Sequence, residues 1–129
     1  MSVSSCSKYT SFNFPTIIEP SLVDVATTSG KSVKVCEDVL LSKGVWLLTG
    51  LAHYSGANLT SLSVSVEKNN VVQTKYKVVQ TTTNLSVPFS VALECREASW
   101  VSLKAESTTS VGDFQLVTSN SNIRFVRIG

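Results

Sequence analysis

Leu40–Tyr54 reads LLSKGVWLLTGLAHY and is the most apolar stretch of the chain. A turn signal at Ser42-Lys43-Gly44 opens it, and the residues after that turn suit a β-strand. Successive side chains of a strand point to opposite faces of the sheet. One face would hold Trp46, Leu48, Gly50, Ala52 and Tyr54, and the other Val45, Leu47, Thr49, Leu51 and His53. Both faces therefore carry large apolar side chains.

A strand that is apolar on both faces needs cover on both. Strands of antiparallel sheets with one face in water alternate apolar and polar residues, and this stretch does not. We therefore expect a mid-sheet strand with one face in the core and the other against a second subunit. The predicted oligomer interface consists of Val45, Trp46, Leu47, Leu48, Leu51, Tyr54, Trp100 and Phe125.

The composition also favours strands. The chain has 129 residues, enough for one domain with its own core, of which 43% are hydrophobic and 16% charged. Ser and Thr together make up about a quarter of it. Branched aliphatic residues pack well on a pleated sheet, and small hydroxyl side chains cover the faces left in water.

Turn signals divide the chain into short alternating segments. Leu62–Val66 alternates strictly with serines outward, and Lys68-Asn69-Asn70 follows as a hairpin turn. Val101–Ala105 alternates in the same way, whereas Pro88 inside another run requires an edge strand or a bulge. The pattern predicts an all-β, antiparallel jelly-roll sandwich of eight to nine strands.

The first part of the chain differs from the rest. We expect an extended N-terminal arm over residues 1–28, with a first short strand at Leu22–Thr27, and a jelly-roll domain over residues 29–129. The arm holds three aromatic side chains, those of Tyr9, Phe12 and Phe14. They either pack along the side of the domain or form a docking segment for another protein.

Charge and targeting signals narrow the range of partners. The net charge of +2 and the lack of a basic cluster predict no nucleic-acid binding. Met1–Thr10 lacks the apolar block of a signal peptide, and no apolar run is long enough to span a membrane. We expect synthesis in a reducing cytoplasm, with Cys6, Cys36 and Cys95 as free thiols; a Cys36–Cys95 bridge is the alternative.

No group of residues suggests catalysis. His53 is the single histidine and has no Cys or carboxylate at ligand spacing, so we predict neither a metal site nor a cofactor. No nucleophile elbow or phosphate-binding glycine cluster occurs, and the chain is predicted not to be an enzyme. Trp100 falls on the outward side of its strand. It is a core residue at a twisted strand start, an interface anchor, or a platform on which a sugar stacks.

Several short motifs resemble a known domain type. Gly44–Gly50 (GVWLLTG) resembles a strand of the C1q/TNF-like jelly-roll domains at the C-termini of phage tail needles, fibres and related virion proteins. Leu62–Val66, Val101–Ala105 and Phe125–Gly129 match the serine-rich strands and the short last strand of those domains. The resemblance implies a homotrimer, with one sheet of each jelly roll turned toward the three-fold axis.

This resemblance implies a non-enzymatic structural protein on the surface of a bacteriophage particle, made in the host cytoplasm. It would be a self-trimerising capsid decoration or a short head or tail fibre, bound to capsid or tail proteins through its arm. Three loops would form the outward tips: Ser55–Asn58, Thr81–Asn84 and Thr108–Asp113. The alternative is a receptor- or glycan-binding tip for host attachment that uses Trp100, Tyr54 or Tyr76.

The resemblance fails upstream of the domain. Tail needles and fibres carry a long shaft before the knob, and this chain offers Met1–Thr28 in its place. The sequence is then either a knob cut from a longer protein or a complete small protein. The Met1-Ser2 start favours a complete protein.

Overall fold

The computed structural model describes residues 16–109 and 113–129, and in them every long element is a β-strand. The strands are β1 (Ile17–Ile18), β2 (Thr27–Thr28), β3 (Ser32–Lys34), β4 (Val39–Leu41), β5 (Gly44–Lys68), β6 (Val71–Cys95), β7 (Ser99–Thr109), β8 (Asp113–Leu116) and β9 (Asn122–Arg127). A short 3₁₀ turn at Thr118–Asn120 precedes β9. The prediction of an all-β antiparallel jelly roll is confirmed.

A long hairpin of β5 and β6 dominates the fold. The two 25-residue strands pair along nearly their whole length. Asn69 and Asn70 form the turn at its tip, with φ angles of 49° and 67°. Two central residues with positive φ are typical of the tight turn that matches the twist of a hairpin, and Asn tolerates that conformation better than most residues. The predicted turn at Lys68-Asn69-Asn70 is confirmed.

The β5–β6 hairpin folds back over itself. Register shifts fall between Ser55 and Leu59, and Asn58 has a φ of 52°. Beyond this bend the tip of the hairpin returns to its base, where the Lys68 ammonium donates a hydrogen bond to the Glu94 carbonyl at 2.7 Å. Each strand therefore contributes one half to each of two layers.

We call the two layers the first and second sheets. The first sheet runs in the order β1, β9, residues 44–54 of β5 and residues 85–95 of β6. The second sheet contains β3 and β4, then β7, residues 59–68 of β5 and residues 71–82 of β6. β8 pairs with β5 at the bend and with β2.

One hydrophobic core fills the space between the sheets. It is built from alternate residues of each strand, and its largest fully buried side chains are Trp46, Tyr54, Phe114, Phe125, Leu41, Leu48, Leu59, Leu62 and Leu103. The Trp46 indole N–H is satisfied inside the core, because it donates to the Ser42 carbonyl at 2.9 Å. Tyr54 and Phe114 pack edge to face, with ring centroids 5.6 Å apart.

Two glycines of GVWLLTG are required by close packing. A Cβ on Gly50 would overlap the Asn122 carbonyl oxygen and would lie 2.8 Å from the Phe89 ring. Gly44 has a φ of 146°, and a Cβ there would lie 2.7 Å from the Arg127 side chain. The two glycines of this motif therefore have a steric role in this chain. Because they lack a side chain, the Phe89 ring and the backbone of neighbouring residues can approach closely.

One detail of the predicted strands is confirmed, and two predicted loops are wrong. Pro88 lies on an edge strand as expected, since β6 pairs with β5 alone among the described strands. The proposed loop at Ser55–Asn58 is wrong, because β5 continues through this stretch and Ser55 and Gly56 still pair with neighbouring strands. Thr81–Asn84 is likewise inside β6.

The described part of the predicted arm belongs to the sheet. β1 adds to the edge of β9 and β2 adds to β8. The strand predicted at Leu22–Thr27 is reduced to a single bridge between Leu22 and Cys36, followed by β2. Cys6 and the proposed docking residues Tyr9, Phe12 and Phe14 lie outside the described residues.

Candidate self-association surface

The outer face of the first sheet carries a row of apolar side chains across four strands. Leu47 of β5 lies opposite both Val126 of β9 and Ala92 of β6, and Val126 lies opposite Ile17 of β1. Directly opposed residues have Cβ atoms about 4.5–5.5 Å apart, so these side chains form one strip. We call Ile17, Val126, Leu47 and Ala92 the apolar row.

Further apolar side chains extend the apolar row along the strands. Val45 and Leu51 share its face of β5, and Leu51 lies opposite Pro88. Ile128 follows β9, and its N–H donates to the Val45 carbonyl at 2.8 Å. Ile17 and Ile128 are 54% and 58% exposed, so no element of the described chain covers this side of the sheet. The result is an apolar face open to solvent in the single chain.

An ion pair and one further charged side chain lie on the same face, and the further one is Glu94 of β6, which lies opposite Val45 and 4.0 Å from Arg96. Thr49 separates Leu47 from Leu51, and it lies opposite Arg124 of β9. The Arg124 guanidinium donates to one Glu19 carboxylate oxygen through Nε at 3.0 Å and Nη2 at 2.9 Å. A charge that is covered by a partner is costly when it is unpaired. Because Arg124 already has its counter-ion, a second molecule could cover this face without isolating it.

A small polar cluster borders the face at the bend. His53 Nδ1 and the Ser86 hydroxyl share a hydrogen bond, and the backbone N–H of His53 donates to Ser121 Oγ at 3.0 Å. Ser121 Oγ in turn donates to the Val117 carbonyl at 2.8 Å. No carboxylate among the described residues bonds the imidazole, which therefore lacks the orienting acid of a hydrolase triad. The hydrogen bonds of this cluster instead join β5 to β6 and to the segment before β9.

The structure separates the predicted interface residues into two sets. Val45, Leu47 and Leu51 face outward and remain partly exposed. The other predicted residues of the first sheet have no exposed surface; these are Trp46, Leu48, Tyr54 and Phe125. They alternate with the outward residues along β5 and β9 and are enclosed in the chain's own core. Their predicted interface role is corrected to a core role.

Trp100 belongs to a different surface. It lies on β7 in the second sheet and is 54% exposed, next to Leu40 of β4. The outer faces of the two sheets point away from each other across the core. Trp100 therefore does not share a surface with Leu47, and its grouping with the first-sheet residues is corrected. Its predicted alternative as a core residue is also excluded by its exposure.

Three residues of the apolar row were not predicted: Ile17, Ala92 and Val126. A usable signal existed for Val126. It follows Phe125, and two adjacent apolar residues in one strand must point to opposite faces. Ala92 and Ile17 could not be found this way, because their place depends on the register of neighbouring strands.

The outer face of the second sheet is mostly hydrophilic, and its exposed apolar side chains are Leu40, Val72, Val79 and Trp100. Serines and charged residues alternate with the core residues there, and the outward set includes Ser63, Ser65, Glu67, Lys75, Lys77, Lys104 and Glu106. The Lys104 ammonium is 3.3 Å from the Glu67 carboxylate. Such a face is stable in water without a partner.

The two described cysteines are free and buried, as predicted. Burial, with smaller effects of Asp38 and Glu37, raises the pKa of the Cys36 thiol to about 12. Burial, with Cys36 nearby, also raises the pKa of the Tyr54 hydroxyl. The thiolate is the reactive form of cysteine, so Cys36 is protonated and inert at neutral pH. Cys36 and Cys95 act as small core residues.

The described part of the chain has neither a candidate metal cluster nor a helix that could span a membrane. Its His, Cys, Asp and Glu side chains form no group of three or more that could hold a metal ion. None of its helical segments has the length and apolar character needed to cross a bilayer.

Solved structures share this arrangement of strands. An Eiger TNF from S. frugiperda superposes with a TM-score of 0.63 and 13% sequence identity, over 88% of this chain and 92% of that one. The chain has the jelly-roll fold of the TNF proteins. Murine APRIL gives a TM-score of 0.62 at 10% identity, over 87% of this chain and 98% of that one.

A larger protein contains a related sandwich. The insecticidal delta-endotoxin Cry8Ea1 from Bacillus thuringiensis superposes with a TM-score of 0.50 and 10% identity. The match covers 82% of this chain and 20% of the toxin. No protein-family model matches the sequence, and no curated protein matches it either. At these identities the TNF-like comparison establishes the fold, and function must be argued from the surface.

Proposed function

We propose that the chain is a non-enzymatic structural protein that assembles as a homotrimer through the outer face of the first sheet. The observation that supports this proposal is the apolar row, which crosses four strands without cover from the described chain. Contiguous exposed apolar patches of this kind mark interaction sites. A second copy is the partner we propose, because Arg124 and Glu94, the charged side chains that border the apolar row, each have an ion-pair partner within the chain.

The number of subunits rests on resemblance. The C1q/TNF-like domains that the sequence resembles imply a trimer, and the chain has the TNF-type fold. A rotation that closes on three copies buries the same face of each subunit and leaves no copy of the apolar row exposed. The second sheet would face solvent all around such a trimer.

We further propose that the trimer sits on the surface of a bacteriophage particle, as a capsid decoration or a short head or tail fibre. The motif resemblance at Gly44–Gly50 supports this placement. Tyr9, Phe12 and Phe14 would dock on a capsid or tail protein after synthesis in the host cytoplasm. Mass spectrometry of purified particles tests the placement directly. Absence of the chain from particles of a phage that encodes it would contradict it.

The docking arm has its own test. A variant with Tyr9→Ala, Phe12→Ala and Phe14→Ala should keep the oligomeric mass of the wild type. It should no longer co-sediment with particles from which the wild-type chain has been removed. Undiminished binding of the triple variant would refute the docking role of these aromatics while leaving the trimer proposal intact.

The trimer is tested with a substitution in the apolar row. Leu47→Asp places a charge at the proposed interface, so native mass spectrometry should show a trimer for the wild type and a folded monomer for the variant. Ser65→Asp is the matched control, because it adds the same charge to the outer face of the second sheet. That control should remain trimeric.

Two results would overturn the assembly proposal. One is a wild-type chain that is monomeric at micromolar concentration. The other is a Leu47→Asp variant that keeps the wild-type mass.

A receptor- or glycan-binding role is the second candidate function, and the exposure of Trp100 on the other sheet favours it.

A further inference from the structure

The exposed apolar side chains on the outer face of the second sheet are Val72 and Val79 of β6 and, next to β7, the pair Trp100 and Leu40. Trp100 and Leu40 lie directly opposite each other on β7 and β4, and they are 54% and 50% exposed. The chain's other tryptophan, Trp46, has no exposed surface. Large aromatic side chains left in water are unusual when most of the surrounding sheet is Ser, Lys and Glu. The proposed trimer does not cover them, because they face away from the apolar row.

A shallow groove with polar walls adjoins the indole. Its volume is about 430 Å³, and its lining residues are Asp38, Asn69, Asn70, Trp100 and Ser102. We call it the Trp100 groove. Small-molecule sites span about 300 to 1,000 Å³ and combine an apolar surface with a few convergent polar groups. The Trp100 groove fits the lower part of that range.

The polar walls are held in fixed positions. The Asp38 carboxylate accepts hydrogen bonds from Lys34 Nζ and from Ser102 Oγ, both at 3.0 Å. The Asn69 side-chain oxygen accepts from the Trp100 N–H at 3.0 Å, and the Asn69 N–H donates to the Trp100 carbonyl at 2.8 Å. A binding site that is already ordered loses less entropy when its ligand arrives.

The wall groups retain hydrogen-bonding capacity for a ligand. The side-chain nitrogen of Asn69 and the amide of Asn70 have no partner among the described residues. Each oxygen of the Asp38 carboxylate can accept a further bond, because a carboxylate has about four acceptor positions in all. The groove thus offers amide donors, a carboxylate acceptor and an aromatic surface within one small volume.

These groups match the chemistry of a sugar ring. A pyranose has an apolar face of C–H groups that can lie on an indole, and its edge carries hydroxyls that both donate and accept. An uncharged sugar suits the site because Asp38 is already neutralised by Lys34. We propose that the Trp100 groove is a binding site for a neutral hexose or N-acetylhexosamine residue of a surface glycan.

A protein partner fits this surface less well. Stable protein interfaces bury about 800 Å² on each partner around an apolar centre. Here two apolar side chains stand beside a charged and hydroxyl-rich sheet. A single sugar residue, in contrast, covers about the area of one indole and uses polar groups around it.

The site is independent of the structural role proposed above. A monomeric chain could carry it, and a trimer would present three copies. Binding to a single sugar residue is expected at about millimolar affinity, because small polar ligands gain little per atom. Multivalent display on an array raises the apparent affinity and is the appropriate first probe.

The test combines a glycan array with quenching of tryptophan fluorescence. The wild-type chain should bind members of an array of neutral hexose and N-acetylhexosamine oligosaccharides. Iodide quenches exposed indoles, so its effect reports on Trp100 and not on Trp46. The saccharide that binds on the array should reduce quenching of the free chain by at least about twofold at saturation.

Variants locate the site. Trp100→Ala should weaken binding at least about tenfold, because it removes the stacking surface. Asn70→Gly should weaken binding about threefold or more while it keeps the turn, since Gly accepts positive φ readily. Val79→Ala is the control: Val79 is 73% exposed on β6 of the same sheet and does not line the groove.

The outcomes are decisive for this site. Silence across the array overturns the proposal, as does binding that survives Trp100→Ala. If Trp100→Ala abolishes capture of a protein while no saccharide binds, the groove serves a protein partner and the sugar proposal is wrong. Native mass spectrometry of Trp100→Ala should match the wild type, which separates failure of this site from failure of the trimer.

Discussion

The outer faces of the two sheets differ, although their inner faces are built alike. Both sheets send alternate Val, Leu and aromatic side chains into one core. Outside, the first sheet presents the apolar row, whereas the second presents serines and lysines around Ser65 and Lys75. Folding requires the inner faces, because they fill the core. Core packing does not constrain the residues of the outer faces. Their composition therefore indicates whether each face contacts solvent or a partner molecule.

Charged substitutions at adjacent positions of β5 should have opposite consequences on its two faces, and these are the strongest effects that we expect. Leu48→Asp should prevent folding, because it buries a charge without a partner in the core at a cost of several kcal/mol. Leu47→Asp, one residue earlier, should leave the fold intact and remove assembly. Circular dichroism through a thermal scan, together with native mass, distinguishes the two.

This pair of variants tests whether the two faces of β5 have different roles. If both substitutions abolish folding, β5 is core on both faces and the apolar row is not an interface. If neither affects the oligomeric mass, self-association must use another surface.

The second prediction concerns the close contact at Gly50. Gly50→Ala should destabilise the chain by about 1–3 kcal/mol, because its methyl group would overlap the Phe89 ring and the Asn122 backbone on the core side. Thr49→Ala is the matched control on the outer face of the same strand. Urea unfolding curves measure both variants. A Gly50→Ala variant as stable as the wild type would show that Phe89 can move aside at little cost.

The third prediction is confined to association. Val126→Ala removes two methyl groups from the apolar row, where Val126 is partly buried. It should weaken the oligomer by about 1 kcal/mol per subunit, and stability of the monomer should change less. Sedimentation equilibrium gives the association constant. Lys104→Ala, on the outer face of the second sheet, should leave that constant unchanged; an equal loss in both variants would contradict the difference between the faces.

Local patterns in the sequence were sufficient to predict most of the fold. Alternation identified the core residues of Leu62–Val66 in β5 and of β7, and Asn69-Asn70 identified the hairpin turn. Pro88 correctly indicated an edge strand. Each of these signals is contained within a few residues, because the period of a strand and the geometry of a turn are local properties.

The surface was predicted less completely because it depends on register. Leu47 could be placed on an outward face from its own strand. Its neighbours Ala92 and Val126 are distant in sequence and meet Leu47 only through strand pairing. The bend that carries β5 from one sheet to the other was predicted as a loop, although Ser55 and Gly56 keep their strand partners there. Trp100 was grouped with residues of the first sheet because the sheet to which β7 belongs also depends on strand pairing.

A weak pH dependence of stability is expected from Asp38 at the edge of the second sheet. The hydrogen bond from Lys34, and a further one from Ser102, lower the pKa of the Asp38 carboxyl below its ordinary value of 3.8. A carboxyl with a lowered pKa in the folded state contributes stability above the unfolded pKa, and that contribution is lost as the pH falls through the folded value. The contribution should be about 0.2–0.5 kcal/mol, because the ion pair is exposed to solvent.

Asp38→Asn isolates this effect. The variant should lose a little stability at pH 7, and its unfolding free energy should approach that of the wild type as the pH falls below 3.8. Comparison of urea midpoints at pH 7 and pH 3 measures the difference.

The apolar row contains no ionisable side chain. Val126→Ala should therefore show the same deficit in association at both pH values once any change in overall fold is excluded. A pH-dependent deficit for Val126→Ala would mean that charged groups contribute to the first sheet's contacts, and the contrast between an apolar and a polar outer face would then be weaker than the structure indicates.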